Sequence, residues 1–212
     1  IVHIDIILVN IDFCVSLWRG SHSVPTNRQE SDMRVTFSLF DAYTALDIVG
    51  GYEVLARSPG AEIEFAAETT GIVAADTRRL GLSAWKSLSE VEKTDILVVP
   101  GGPGVGPALE NVSLIDAIKR LHQYTTWTVG ICNGVELLGK AGILKGLSAT
   151  TNYHSRSAVE AFGATIVPAR YYQDGKVLTG AGVSASIDTA FYLAGKIGGD
   201  MLVGALRHGI EY

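Results

Sequence analysis

The stretch DILVVPGG, residues 95–102, constrains this chain more than any other. Its apolar core, ILVV, has no polar residue inside it, and a Pro-Gly-Gly turn closes it. A strand with one wet face alternates in polarity, whereas a strand covered on both faces does not. The run therefore predicts a strand inside a parallel sheet with helices above and below. WTVGI (127–131) repeats the pattern. Around these two runs, RVTFSLF (34–40) and EIEFAAE (62–68) read as further strands. TALDIVGGYEVLAR (44–57) reads as a helix with apolar residues three or four apart. SLIDAIKRLHQY (113–124) reads as a second helix with Ser113 as its N-cap, and GVELLGKAGIL (134–144) as a third. Residues 153–162 read as helical, and 164–180 as strands joined at the turn pair Asp174-Gly175. Residues 184–198 form the last long helix, before a short helical tail, and Ile72 to Trp85 reads as a small hairpin or irregular excursion. Strand–helix alternation of this kind predicts an α/β fold, a doubly wound and mostly parallel sheet with helices on both faces.

A chain of 212 residues, 47% of them hydrophobic, can bury the core such a sheet needs. Seventeen basic against 22 acidic residues leave a net charge of −5, with no block of like charge, which argues against nucleic acid or an anionic membrane as partner. Residues 1–32 differ from the rest. IVHIDIILVNIDFCVSLW is apolar but carries Asp5 and Asp12 and lacks a basic start, so it makes a poor signal peptide and a poor membrane span. RGSHSVPTNRQESD then reads as a polar linker. The expectation is a leader or appended segment over 1–32 and one domain over 33–212. Cys14 and Cys132 give neither a disulfide framework nor a zinc spacing, which suits a reducing, cytoplasmic setting. His3, His22, His122, His154 and His208 are scattered without acidic or cysteine partners at ligand spacing, so no metal is expected.

Ligands of doubly wound sheets bind beyond the carboxyl ends of the strands. Gly101-Gly102 and Cys132 both fall there. A thiol squeezed between a strand and a helix N-terminus projects from a tight turn and feels the partial positive charge of the helix, which favours the thiolate. The backbone N–H groups of Asn133 and Gly102 are placed to stabilise developing negative charge. The plain alternative is that Cys132 is a small buried hydrophobe. A nucleophile also needs a proton handler. No histidine adjoins Cys132, and His122 falls in a helix pattern, at the surface. Asp47, flanked by Leu46 and Ile48 at the start of the first helix, is the candidate; alternatively it only complements the helix dipole. Glu53 reads as a surface or interface ion-pair residue.

LVVPGGPGVGPAL, VGICNGVELLGKAGILKGLSATTNYH, DGKVLTGAGVSASIDTAFYLAGKI and LDIVGGYEVL together resemble, in order and spacing, the ThiJ/PfpI superfamily, and within it the isocyanide hydratases most. The resemblance implies a flavodoxin-like three-layer sandwich, a cofactor-free site and a homodimer. It implies Cys132 as nucleophile, Asp47 as general acid/base and Gly102 as the residue whose amide helps bind an oxyanion, with Gly101, Asn152 and Tyr153 lining the substrate pocket. The reaction implied is hydration of an isocyanide to an N-substituted formamide, a hydro-lyase activity. Departures from the hydratase pattern are Asn133 where Thr usually follows the nucleophile, Thr150-Thr151-Asn152-Tyr153 in place of Thr-Thr-His-Trp, and Gly50-Gly51 in place of Gly-Pro.

Other readings of the same motifs are a glyoxalase or deglycase acting on small aldehydes, the ligand-sensing domain of a transcription regulator, and a cysteine redox sensor. GAGVSA (180–185) matches a dinucleotide fingerprint in form only, because it opens the last helix rather than the first βαβ unit. GGPGVGP (101–107) lacks the Lys-Ser/Thr ending of a phosphate loop.

Overall fold

The computed structural model describes residues 33–212, so the reading of 1–32, with Cys14, His3 and His22, lies outside the described residues. The strands are β1 (Met33–Ser38), β2 (Ala61–Ala67), β3 (Gly71–Ala74), β4 (Gly81–Ala84), β5 (Lys86–Ser87), β6 (Ile96–Val99), β7 (Trp127–Ile131), β8 (Ser148–Ala149), β9 (Thr165–Ile166), β10 (Tyr171–Asp174) and β11 (Val177–Gly180). The helices are α1 (Ala45–Leu55), α2 (Val105–Leu109), α3 (Val112–His122), α4 (Val135–Lys140), α5 (Arg156–Ala161) and α6 (Ala185–Ile210). Seven strands form the central sheet in the order β10-β11-β7-β6-β1-β2-β5. Every pairing in it is parallel except β10 with β11, which the Asp174-Gly175 turn joins as an antiparallel hairpin. The mostly parallel sheet is the one that the alternation predicts, and the fold is the flavodoxin-like three-layer sandwich that the resemblance implies.

β6 shows why its sequence does not alternate. Ile96 and Val98 face one core, with Phe37, Ile48, Val54 and Phe191, while Leu97 and Val99 face the other, with Ile118, Leu121, Val135 and Leu138. Each such side chain contributes about 1.5–3 kcal/mol by leaving water, so both faces hold the strand in register. Ile72 to Trp85 forms a true hairpin, β3 with β4.

Some local expectations are corrected. Asn111, not Ser113, caps α3: its side chain accepts the Leu114 amide at 3.1 Å, so the helix starts two residues earlier than a Ser113 cap implies. The helix expected over 134–144 is a 3-10 turn at Cys132–Gly134 followed by α4, which ends at Lys140. The stretch Val105–Leu109 is a short helix that turn-forming residues hid from the sequence reading. α6 breaks at Gly199 (φ 70°, ψ −172°), which separates the long helix from its tail. His122 is half-buried rather than on the surface, with Nδ1 2.8 Å from the Thr128 hydroxyl. Glu53 pairs with Arg57 one turn on, as a surface ion pair. Among the described residues, no helix is long and apolar enough to cross a membrane.

Candidate active site

β7 and β6 lie side by side, so the turns that follow them meet at the carboxyl edge of the sheet. Cys132 opens the turn after β7 with φ 58°, a left-handed conformation that a non-glycine residue adopts only at a cost of about 1–3 kcal/mol. The Thr151 hydroxyl donates to the Cys132 carbonyl at 2.7 Å and holds that bend from the side. Across the gap, a Cβ on Gly101 would lie 2.9 Å from the Cys132 Cβ, so the Gly-Gly turn after β6 passes directly against the cysteine.

Asp47 reaches the same turn from the first helical turn of α1. It is fully buried, and its Oδ2 accepts the Gly101 amide at 2.9 Å. Its Oδ1 is buried with no partner among the described residues. Burial pushes the Asp47 carboxyl up to about 7, assisted by the negative charge of Asp76 and opposed by the Gly101 amide. Asp76 accepts the Thr44 hydroxyl at 3.0 Å, which places a second carboxylate behind the first. At that value Asp47 is a carboxyl group able to hold or release a proton near neutrality.

The sulfur departs from its expected state. Burial pushes the Cys132 thiol up to about 11, and the Asp47 charge adds to the effect. The Asn133 backbone amide and the Asn152 side chain act in the opposite direction. The residue is 6% exposed, and α4 is a short helix beginning beyond the 3-10 turn, so shielding from water outweighs the helix field. The resting pair therefore carries its proton on sulfur. When Asp47 is also protonated its charge no longer opposes ionisation, and the two groups titrate as a unit.

The candidate residues divide in their placement. Cys132, Asp47 and Gly101 come together. Asn152 is half-buried and donates from Nδ2 to Sγ at 3.4 Å, while its Oδ1 accepts the His154 amide at 3.0 Å, which fixes which end of the carboxamide faces sulfur. The expected free amide of Gly102 is corrected: it donates to Asn133 Oδ1 at 2.7 Å, and Asn133 Nδ2 returns a bond to the Gly102 carbonyl at 3.0 Å. Asn133 thereby ties the two turns together. Tyr153 is 68% exposed and lies against His154. Residues that sequence reasoning missed are Thr151 and Gly182. Gly182 (φ 96°) follows β11, and a Cβ there would lie 2.8 Å from Sγ. The glycine-rich GAGVSA stretch was the available signal. A surface depression of about 550 Å³, lined by Glu68, Ser89, Asp116 and Arg120 among others, lies away from these residues. Among the described residues, no group of three His, Cys, Asp or Glu side chains comes together as a metal site needs.

An α/β sandwich that bends a cysteine into the left-handed region after a central strand, with a buried carboxyl group on the same Gly-Gly turn, defines a class of cysteine-centred α/β proteins. The profile of the DJ-1/PfpI family matches residues 33–196, and the chain belongs to that family. It is 31% identical over 180 residues to an isonitrile hydratase of Pseudomonas putida, an alignment spanning 85% of this chain and 78% of the relative. A ThiJ/PfpI family protein from Pseudomonas syringae superposes with a TM-score of 0.83 at 24% identity, over 92% of this chain and 84% of that one. DJ-1beta of Drosophila melanogaster superposes at 0.76 with 21% identity, over 84% and 97% of the two chains. Both superpositions report the fold.

Proposed function

We propose that this protein is a cofactor-free, cysteine-dependent hydro-lyase that converts an isocyanide and water into an N-substituted formamide. The observation that carries the reading is the set of groups able to move a proton at the sulfur. The side chain bonded to Sγ is the Asn152 carboxamide, which donates a hydrogen bond and takes no proton. Asp47, pushed up to about 7, both gives and takes one near neutrality. An isocyanide carbon suits that inventory because nucleophile and proton go to the same atom. The Cys132 thiol gives its proton to the Asp47 carboxylate, and sulfur bonds to the carbon as Asp47 delivers that proton to it, giving a thioimidate. Water then adds to this carbon while Asp47 takes up the released proton. The C–S bond breaks, nitrogen is protonated, and formamide leaves with sulfur restored. The likeness to an isonitrile hydratase supports the same reading.

The test is formamide production from an alkyl isocyanide. Cys132→Ala and Cys132→Ser are expected to abolish turnover in a folded protein, and Asp47→Asn to lower it by about 10²–10⁴-fold. Undiminished turnover in either cysteine variant removes Cys132 from the reaction, and an unchanged Asp47→Asn rate removes the acid.

We propose further that the working form is a homodimer, seated on the outer face of the β3–β4 hairpin. Val73, Leu82 and Ala84 point into the core, leaving Ile72 (82% exposed) and Trp85 (81% exposed) on the opposite side. Light scattering at micromolar concentration is expected to give a dimer, and Trp85→Asp a monomer. A monomeric parent, or a dimeric Trp85→Asp, overturns this arrangement.

A further inference from the structure

The sulfur of Cys132 is covered by a loop whose position is held from outside the site. β11 pairs with β7 so that Gly180 lies opposite Ile131, and residues 181–184 therefore run across the turn that carries the thiol. Gly182 lies so close that any side chain would strike Sγ. Both ends of this loop are bound to one residue, Arg170, which precedes the edge strand β10. The Arg170 carbonyl accepts the Ala181 amide at 2.9 Å, where the loop begins. Its Nη2 donates to the Ser184 hydroxyl at 3.0 Å, where the loop ends, and its Nε donates to Asp188 Oδ2 at 2.5 Å in the first turn of α6. The other oxygen of Asp188 accepts the Tyr212 hydroxyl at 2.6 Å, which orients the carboxylate toward the guanidinium.

We propose that Arg170 is a positioning residue for Cys132: it clamps the 181–184 loop over the sulfur and so sets how the thiol is shielded and presented to substrate. Stability does not account for this arrangement. The Arg170 side chain is 52% exposed, and ion pairs at such exposure contribute about 0–1 kcal/mol. What a guanidinium adds is direction, because its planar fork holds a hydroxyl and a carboxylate at fixed angles while its own carbonyl holds the amide. An ammonium on a flexible stem does not fix both side chains at once. The kinetic part of the proposal rests on the hydratase reading; the thiol chemistry does not.

The test uses the full chain in a Cys14→Ser background, which leaves Cys132 as its one thiol. Alkylation by iodoacetamide is followed by mass spectrometry under native conditions, beside kcat and KM for isocyanide hydration. Arg170→Ala is expected to speed alkylation about tenfold by freeing the loop, Ser184→Ala severalfold, and Arg170→Lys to fall between parent and Arg170→Ala. In the same variants kcat is expected to fall about tenfold while KM changes less, because a misplaced nucleophile affects the reacting geometry more than binding. A merely structural arginine would lower the melting temperature and leave native-state alkylation unchanged. Alkylation within about twofold of the parent in both Arg170→Ala and Ser184→Ala overturns the proposal. If Arg170→Ala does not fold, Ser184→Ala decides alone. A parent that makes no formamide defeats the hydratase reading, while alkylation still decides the clamp.

Discussion

Asp47 decides the charge of the site, and its burial leaves a signature in stability as well as in rate. An unfolded chain releases this proton near 3.8, whereas the native protein holds it to about 7. Between those values the folded state binds more protons, so stability falls as pH rises through the interval and levels off above it. Burying the charge costs up to about 4 kcal/mol at alkaline pH. Asn at this position keeps an acceptor for the Gly101 amide and cannot ionise, but buries an unpaired amide donor at a cost of about 1–3 kcal/mol. Asp47→Asn is therefore expected to be less stable than the parent below about pH 4 and more stable above about pH 7, the two curves crossing between. Denaturant titrations across that range check it, and parallel curves would show that residue 47 is already charged when folded. The acid and the cysteine were legible in the sequence, each being an odd residue type at the carboxyl edge of a strand–helix pattern. The state of the thiol was not. A helix N-terminus can be read from a sequence, but the burial that overrides it depends on Gly101 and Gly182, which come from other turns.

At the level of elements, what the sequence hid was strand order. Nothing in VLTGAG says that β11 neighbours β7, and only that adjacency carries Gly182 onto the sulfur. The paired glycines of α1 present a similar case. In sequence Gly50 and Gly51 are merely two poor helix formers. In the fold α1 packs against α6, and a Cβ on Gly50 would collide with the Ser186 hydroxyl and lie 2.9 Å from Ile187. Ser186 itself donates to the Leu46 carbonyl at 2.8 Å, so this contact sets the turn from which Asp47 projects. A Cβ on Gly51 would meet only Phe37, at an ordinary 3.6 Å. The two alanine substitutions are therefore expected to differ in sign. Gly51→Ala should stabilise by about 0.5–1 kcal/mol through helix propensity alone. Gly50→Ala should destabilise by about 1–3 kcal/mol through overpacking and should lower the hydration rate by shifting Asp47. Equal effects, measured by denaturant unfolding, would show that the α1–α6 contact yields easily and does not position the acid.

Across the whole molecule, the two ends of the sheet carry opposite kinds of polar chemistry. The carboxyl end holds an acid with a buried oxygen that has no partner among the described residues, whereas the amino end of β7 is tied by a hydrogen-bonded network. Lys176 Nζ donates to the carbonyls of His122 and Thr125, and Thr128 lies 2.8 Å from both the Thr125 hydroxyl and His122 Nδ1. Burial holds the His122 ring below its ordinary value of 6.5, and the Lys176 charge lowers it further. Here the folded state binds fewer protons than the unfolded one, so stability is full above the unfolded value and is lost as pH falls below it toward the folded one. That slope is opposite to the slope from Asp47 and comes from a histidine that sequence reading placed at the surface, since a half-buried histidine at the end of an amphipathic helix looks like an exposed one. His122→Gln keeps a polar side chain there and removes the titration. Its unfolding midpoint is expected to rise more than the parent's from pH 7 to pH 5, because the gain from protonating Asp47 is then no longer opposed by His122. A variant whose stability follows the parent's curve across that interval would show that His122 titrates alike in the folded and unfolded states and contributes no acid sensitivity.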